Sequence, residues 1–105
     1  MQNFSHISVD GVLELDSTPV IVDIRDPQSF ANGRMPEAIH LSNDNFASFI
    51  NETPKTQPVV VVCYHGISSQ QAADIIAQQG FVDVYSMDGG FEAWHSQGQV
   101  VETAS

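Results

Sequence analysis

The residue best suited to nucleophilic chemistry is Cys63, the single cysteine among 105 residues. It closes the apolar run Pro58-Val59-Val60-Val61-Val62, and Tyr64-His65-Gly66-Ile67-Ser68-Ser69 follows it before a helical pattern begins. A strand, a tight loop and a helix start form a cradle of backbone N–H groups. Gly66 lets the loop turn with positive φ, and Ser68 or Ser69 can cap the helix. Loop amides and the helix dipole favour thiolate over thiol, so they lower the cysteine pKa and activate it. The same amides can hold an oxyanion beside the sulfur. The competing reading is a buried structural cysteine, because free cysteine is among the most buried residue types. Its position at a strand end, before a glycine-bearing loop and a helix start, favours the reactive reading.

Spacing separates two kinds of thiol enzyme. Cysteine-dependent phosphatases place an arginine after five intervening residues, where it grips phosphate bidentately. Here that position is Ser69, which cannot do so. Nor is there a second cysteine to close an intermediate as a disulfide. Any group that Cys63 acquires must leave on an external acceptor.

The elements that must position this loop are legible in the pattern. Val20-Ile21-Val22, entered through Pro19 and closed by Asp23, and Pro58 to Cys63 are short, β-branched and non-alternating. Strands buried on both faces of a parallel sheet read this way. Weaker strand candidates are His6 to Val9, Ala38 to Leu41 and Val82 to Ser86. Helical patterns lie between them: Asp10 to Leu15, Pro27 to Asn32 stopping at Gly33, Phe46 to Ile50, Ser69 to Gln79 ending at Gly80, and Phe91 to Gln97 after Gly89-Gly90. This alternation predicts an open α/β sheet in three layers. The ligand site of such a sheet lies outside the carboxyl ends of its strands, where Cys63 falls.

Composition narrows the partners. The formal charge is −10, with Arg25, Arg34 and Lys55 scattered along the chain. Binding to nucleic acid needs clustered Lys and Arg, and so does binding to an anionic membrane surface; neither is expected. The longest apolar run, Val59 to Cys63, is too short to span a bilayer. Met1 to Ser8 has no basic or apolar stretch of a secretory signal. The expectation is one domain over residues 1–105, cytoplasmic, with a free thiol. An acidic chain takes an anionic ligand only where local positive potential overrides the net field. The loop amides and the helix N-terminus would supply it.

Three segments together resemble the single-domain rhodaneses, in the order and spacing of that family. The first is Cys63-Tyr64-His65-Gly66-Ile67-Ser68-Ser69. The second is Val22-Asp23-Ile24-Arg25-Asp26-Pro27-Gln28-Ser29-Phe30 with Gly33-Arg34-Met35-Pro36-Glu37-Ala38, and the third is Tyr85-Ser86-Met87-Asp88-Gly89-Gly90-Phe91-Glu92-Ala93-Trp94. The resemblance implies a three-layer fold: a five-stranded parallel sheet with helices on both faces. It implies thiosulfate sulfurtransfer by double displacement through a persulfide on Cys63. Cyanide, a small thiol or a dithiol protein such as thioredoxin would be the acceptor. Residues 64–69 would bind the donor through backbone amides, helped by the hydroxyls of Ser68 and Ser69. No metal or organic cofactor is implied. Many such enzymes carry Arg or Lys in the loop or just after its serines; here the loop has only His65, and Gln70 follows Ser69. Weak thiosulfate binding is expected from that departure.

The remaining candidates read more simply. His6, His40 and His95 lack metal-ligand spacing. Asp23-Ile24-Arg25-Asp26 suits structural hydrogen bonds that fix loops near the site. Phe91 and Trp94 fit the core, with an aromatic free to edge the site. Gly89 and Gly90 suit close backbone approach.

Overall fold

The computed structural model of the protein describes residues 4–103. The chain runs β1 (Ser5–Ile7), α1 (Val9–Leu13), β2 (Val20–Asp23), α2 (Pro27–Asn32), β3 (Ile39–His40), α3 (Phe46–Glu52), β4 (Val59–Val62), α4 (Ser68–Gln78), β5 (Val84–Met87) and α5 (Gly90–Ser96). The five strands form one sheet in the order β1-β5-β4-β2-β3, with every pairing parallel. This is the three-layer α/β architecture that the alternating pattern predicts.

β4 shows why its sequence does not alternate. Val59 and Val61 join one core with Phe49 of α3 and Ala73 and Ile76 of α4. Val60 and Val62 join a second core on the opposite face, with Val9 and Val12 of α1 and Trp94 of α5. All four valines are fully buried. Each such side chain contributes about 1.5–3 kcal/mol by leaving water. Helices on both faces therefore demand apolar residues at every position of the central strand.

The predicted elements are present with shifted ends. β1 stops at Ile7 because Ser8 caps α1 and accepts the Gly11 N–H. β5 starts at Val84 rather than Val82, since the Val82 N–H bonds the Lys55 carbonyl and its side chain is exposed. α4 ends one residue before the expected Gln79, and Gly80 follows with φ +101°.

The sheet order also fixes where a ligand site forms. From β2 the chain moves outward to β3, then crosses back to β4 on the other side of β2, and then continues to β5. The turn in strand order lies between β2 and β4, and crevices open at the carboxyl ends of such neighbours. The Ile24 N–H donates to the Val62 carbonyl at 2.9 Å, tying the two strand ends together. Cys63 is the next residue along.

Candidate active site

Cys63 is 4% exposed. Its Sγ accepts the Gly66 N–H at 3.1 Å and the Ser69 N–H at 3.3 Å. Burial is the largest influence on the thiol and pushes its pKa up. The Ser69 hydroxyl and the N–H groups of Ser69, Gly66 and His65 together outweigh it and hold the pKa below the ordinary thiol value. Hydrogen bonds to the charged form are the cause. A thiolate is the nucleophilic form of cysteine, so this cradle activates the sulfur.

Neither serine caps α4 through its side chain, contrary to the sequence expectation. The N-cap residue is Ile67, which makes no side-chain capping bond. The position of an ordinary capping oxygen is taken by Cys63 Sγ, on the N–H of the second helical residue, Ser69. The Ser69 hydroxyl instead pairs with the Ser86 hydroxyl at 2.8 Å in the buried layer beneath the loop. Ser68 is exposed at the first helical position. α4 thus leaves its N-terminal donors to the sulfur and to the space beside it.

Glycines bring the loop this close to its neighbours. Gly66 has φ +84°, and a Cβ there would lie 2.7 Å from the Gly89 nitrogen. Gly90 has φ +60°, and a Cβ there would lie 2.5 Å from the Cys63 carbonyl oxygen. The approach lets the first amides of α5 hold the start of the loop: Phe91 N–H donates to the Cys63 carbonyl at 2.8 Å and Glu92 N–H to the Tyr64 carbonyl at 3.1 Å.

Side chains then pin the loop at three places. The Tyr64 hydroxyl bonds the Asp26 carboxylate and meets the Ser29 hydroxyl, both at the start of α2. His65 Nδ1 lies 2.8 Å from a carboxylate oxygen of Glu92. Gln70 Nε2 donates to the Gly66 carbonyl at 2.9 Å. His65, the one candidate cation of the loop, is therefore committed to a carboxylate on the protein surface. Ile67 stands out into solvent at 74% exposure.

Asp23 and Arg25 take the structural role expected of them. The buried Arg25 guanidinium bonds both Asp23 carboxylate oxygens, one at 2.6 Å, and the Gly33 carbonyl at 2.6 Å. It lies 4.1 Å from the Phe91 ring centre, so Phe91 edges the site above a fixed cation. Trp94 is buried in the core and donates to the Val100 carbonyl. Of the other histidines, His6 pairs with Asp88 and His40 bonds the Arg25 carbonyl. No group of three or more His, Cys, Asp or Glu side chains able to hold a metal occurs among the described residues. A hollow of about 340 Å³ beside Tyr64 is lined by Arg25, Ser29, Asn32, Phe91 and Glu92, among others. A larger one, about 630 Å³, lies against α3 and α4 and touches none of residues 63–69.

Asp26 holds the loop through Tyr64, as expected of the Asp23-Ile24-Arg25-Asp26 segment. Short-range pattern carries no sign of the other supports: Ser86 and Glu92 reach Ser69 and His65 from β5 and α5, and Gln70 reaches back from the first turn of α4 to Gly66.

Comparison with known proteins agrees with this geometry. Residues 9–97 match the family model described as rhodanese-like domain. A protein of Shewanella oneidensis named thiosulfate sulfurtransferase GlpE is 52% identical over 97 residues, covering 90% of this chain and 96% of the relative. The Vibrio cholerae protein of the same name is 45% identical over 106 residues, covering 99% of this chain and 100% of the relative. Among solved structures, a rhodanese-like domain protein from Staphylococcus aureus superposes with a TM-score of 0.80 at 28% identity, covering 97% of this chain and 100% of that one. A rhodanese-related protein from Thermoplasma volcanium reaches the same TM-score at 21% identity, covering 94% and 98%, and shows the shared fold.

Proposed function

This chain belongs to the rhodanese-like domain family, and from that premise we propose that it is a thiosulfate sulfurtransferase acting through a persulfide on Cys63. The observation that carries the reading is the sulfur of the only cysteine held by the N–H groups of Gly66 and Ser69. The names of relatives 45–52% identical over nearly the whole chain support thiosulfate as donor.

The reaction is two displacements at sulfur. The Cys63 thiolate attacks the outer sulfur of thiosulfate. A new S–S bond forms, the sulfur–sulfonate bond breaks, and sulfite leaves with its electron pair. The enzyme now carries Cys63–S–S⁻. The terminal sulfur of that anion inherits the amide cradle of residues 64–69, and the amides stabilise it as they stabilise the thiolate. An acceptor then takes the terminal sulfur. Cyanide leaves as thiocyanate, or a thiolate leaves as its own persulfide, and Cys63 returns to the thiolate. A small thiol or a dithiol protein such as thioredoxin fits the acceptor role. Neither step needs a metal or an organic cofactor.

Backbone supplies the positive potential, since His65 is paired to Glu92 and the buried Arg25 is paired to Asp23. A dianion held without a free cation binds weakly, and the thiosulfate KM is expected in about the millimolar range. We read residues 1–105 as one rhodanese unit. A single unpaired thiol suits the reducing cytoplasm, and no helix among the described residues is long and apolar enough to cross a membrane.

Steady-state kinetics with thiosulfate and cyanide test the proposal. Double displacement predicts parallel double-reciprocal lines and no turnover by Cys63→Ser. Intersecting lines, or turnover surviving in the variant, would overturn it.

A further inference from the structure

The peptide plane between Gly66 and Ile67 is the least constrained part of the sulfur cradle by its own chemistry. Gly66 sits at φ +84°, and glycine has the widest choice of backbone conformations. In a trans peptide the C=O and the next N–H point in opposite directions. Rotating this one plane would swap the directions of the Gly66 carbonyl and the Ile67 N–H, and could turn the carbonyl toward the site. Such a turn would place an acceptor beside an anionic sulfur.

One side chain opposes that rotation. Gln70, in the first turn of α4, donates from Nε2 to the Gly66 carbonyl at 2.9 Å. The bond holds the carbonyl on the Gln70 side and so directs the Ile67 N–H the other way. Among the described residues no protein acceptor takes the Ile67 N–H. α4 itself is anchored below by the Ser69–Ser86 hydroxyl pair at 2.8 Å. Gln70 therefore grips the loop from a fixed base.

We propose that Gln70 is a positioning residue of the active site, whose side-chain amide locks the Gly66–Ile67 peptide so that the cradle presents N–H groups and not a carbonyl to the sulfur and its anionic donor. The inference rests on the sulfurtransferase reading for its consequence in turnover, but its effect on Cys63 can be read without any sulfur donor. Gln70 makes no hydrogen bond to the sulfur, whose donors are Gly66 and Ser69; it acts through the backbone.

The test uses the whole chain with Gln70→Met, which keeps length and removes the donor. The pH profile of Cys63 alkylation by iodoacetamide reports the thiolate directly. The N–H bonds of Gly66 and Ser69 to the sulfur stay in place, so the effect comes from a Gly66 carbonyl freed to turn toward the thiolate: the midpoint is expected to move up, and alkylation at neutral pH to slow about three- to tenfold. The thiosulfate KM should rise by a similar factor, with kcat changed less. Gln70→Lys, which still reaches and donates to the Gly66 carbonyl, should restore both. Gln71→Lys in the Gln70→Met background adds the same charge one residue away and should not. An unchanged alkylation profile and KM in Gln70→Met overturns the proposal, and so does equal rescue by Lys at position 71. If the unaltered protein instead shows no transfer from thiosulfate, the sulfurtransferase reading fails while the alkylation profiles still decide the role of Gln70.

Discussion

Two helices, α2 and α4, each begin just past the carboxyl end of a strand in the same sheet, and their first turns are used in opposite ways. α2 starts after Asp26, whose carboxylate accepts the Ser29 N–H at 3.0 Å and the Ser29 hydroxyl at 2.8 Å. Pro27 follows and has no N–H to satisfy. That N-terminus is closed by its own sequence. α4 starts after Ile67, which cannot cap, and its open N–H falls to the sulfur of Cys63. In both places hydrogen bonds lower an acid's pKa. For Asp26 the causes are the backbone and hydroxyl of Ser29; for Cys63 donors outweigh burial. The lesson is that an apolar residue in the capping position reserves the helix N-terminus for a reactive group.

Breaking the reserved end should cost most. Cys63→Ser is expected to lower sulfur transfer at least a thousandfold, since the hydroxyl lacks thiolate character at neutral pH; thiocyanate formation with thiosulfate and cyanide measures it. Next comes Gly66→Ala. A Cβ 2.7 Å from the Gly89 nitrogen, on a residue at φ +84°, forces the loop off the sulfur. A loss of about a hundredfold in kcat/KM is expected, with about 1–3 kcal/mol of stability lost in denaturant unfolding.

Ser69→Ala sharpens the comparison by removing the hydroxyl that helps hold the Cys63 pKa down, while the Ser69 N–H bond to the sulfur and the helix stay in place. It also strands the buried Ser86 hydroxyl. The expected result is about 1–2 kcal/mol of destabilisation and an upward shift in the alkylation midpoint of Cys63. The closed end should respond differently. Asp26→Ala removes the α2 cap and the carboxylate that Tyr64 bonds. Melting temperature should fall by a few degrees while the alkylation midpoint of Cys63 moves little.

The smallest effect follows from linkage. The folded pKa of Cys63 lies below its unfolded value, so the thiolate adds stability in full above the ordinary thiol pKa, about 8.5. That contribution disappears as pH falls through the lowered folded pKa. The gap in melting temperature between the unaltered protein and Cys63→Ser should therefore widen as pH rises across this window.

The buried central strand and the position of the loop after it were legible in the sequence, for a physical reason. Val59 to Val62 carries no polar residue because both faces of β4 are covered, and the loop that follows must then sit at a strand end. Gly66 was expected to turn with positive φ and Gly90 to allow close backbone approach, and each does so. The three family segments converge on one place because β2, β4 and β5 are neighbours. The supports were legible only in part. The segment Asp23-Ile24-Arg25-Asp26 was expected to fix loops near the site, and Asp26 does so through Tyr64. Ser69 meets Ser86 only after the sheet assembles, and a serine's choice between capping its helix and pairing across the core depends on that assembly.

Intact mass after incubation with thiosulfate reads the Cys63 persulfide most directly. Sulfur transfer through a Cys63 persulfide should add one sulfur atom to the unaltered protein and none to Cys63→Ser, with the added sulfur lost on exposure to cyanide. A protein that gains no sulfur, or a Cys63→Ser variant that gains one, would contradict it.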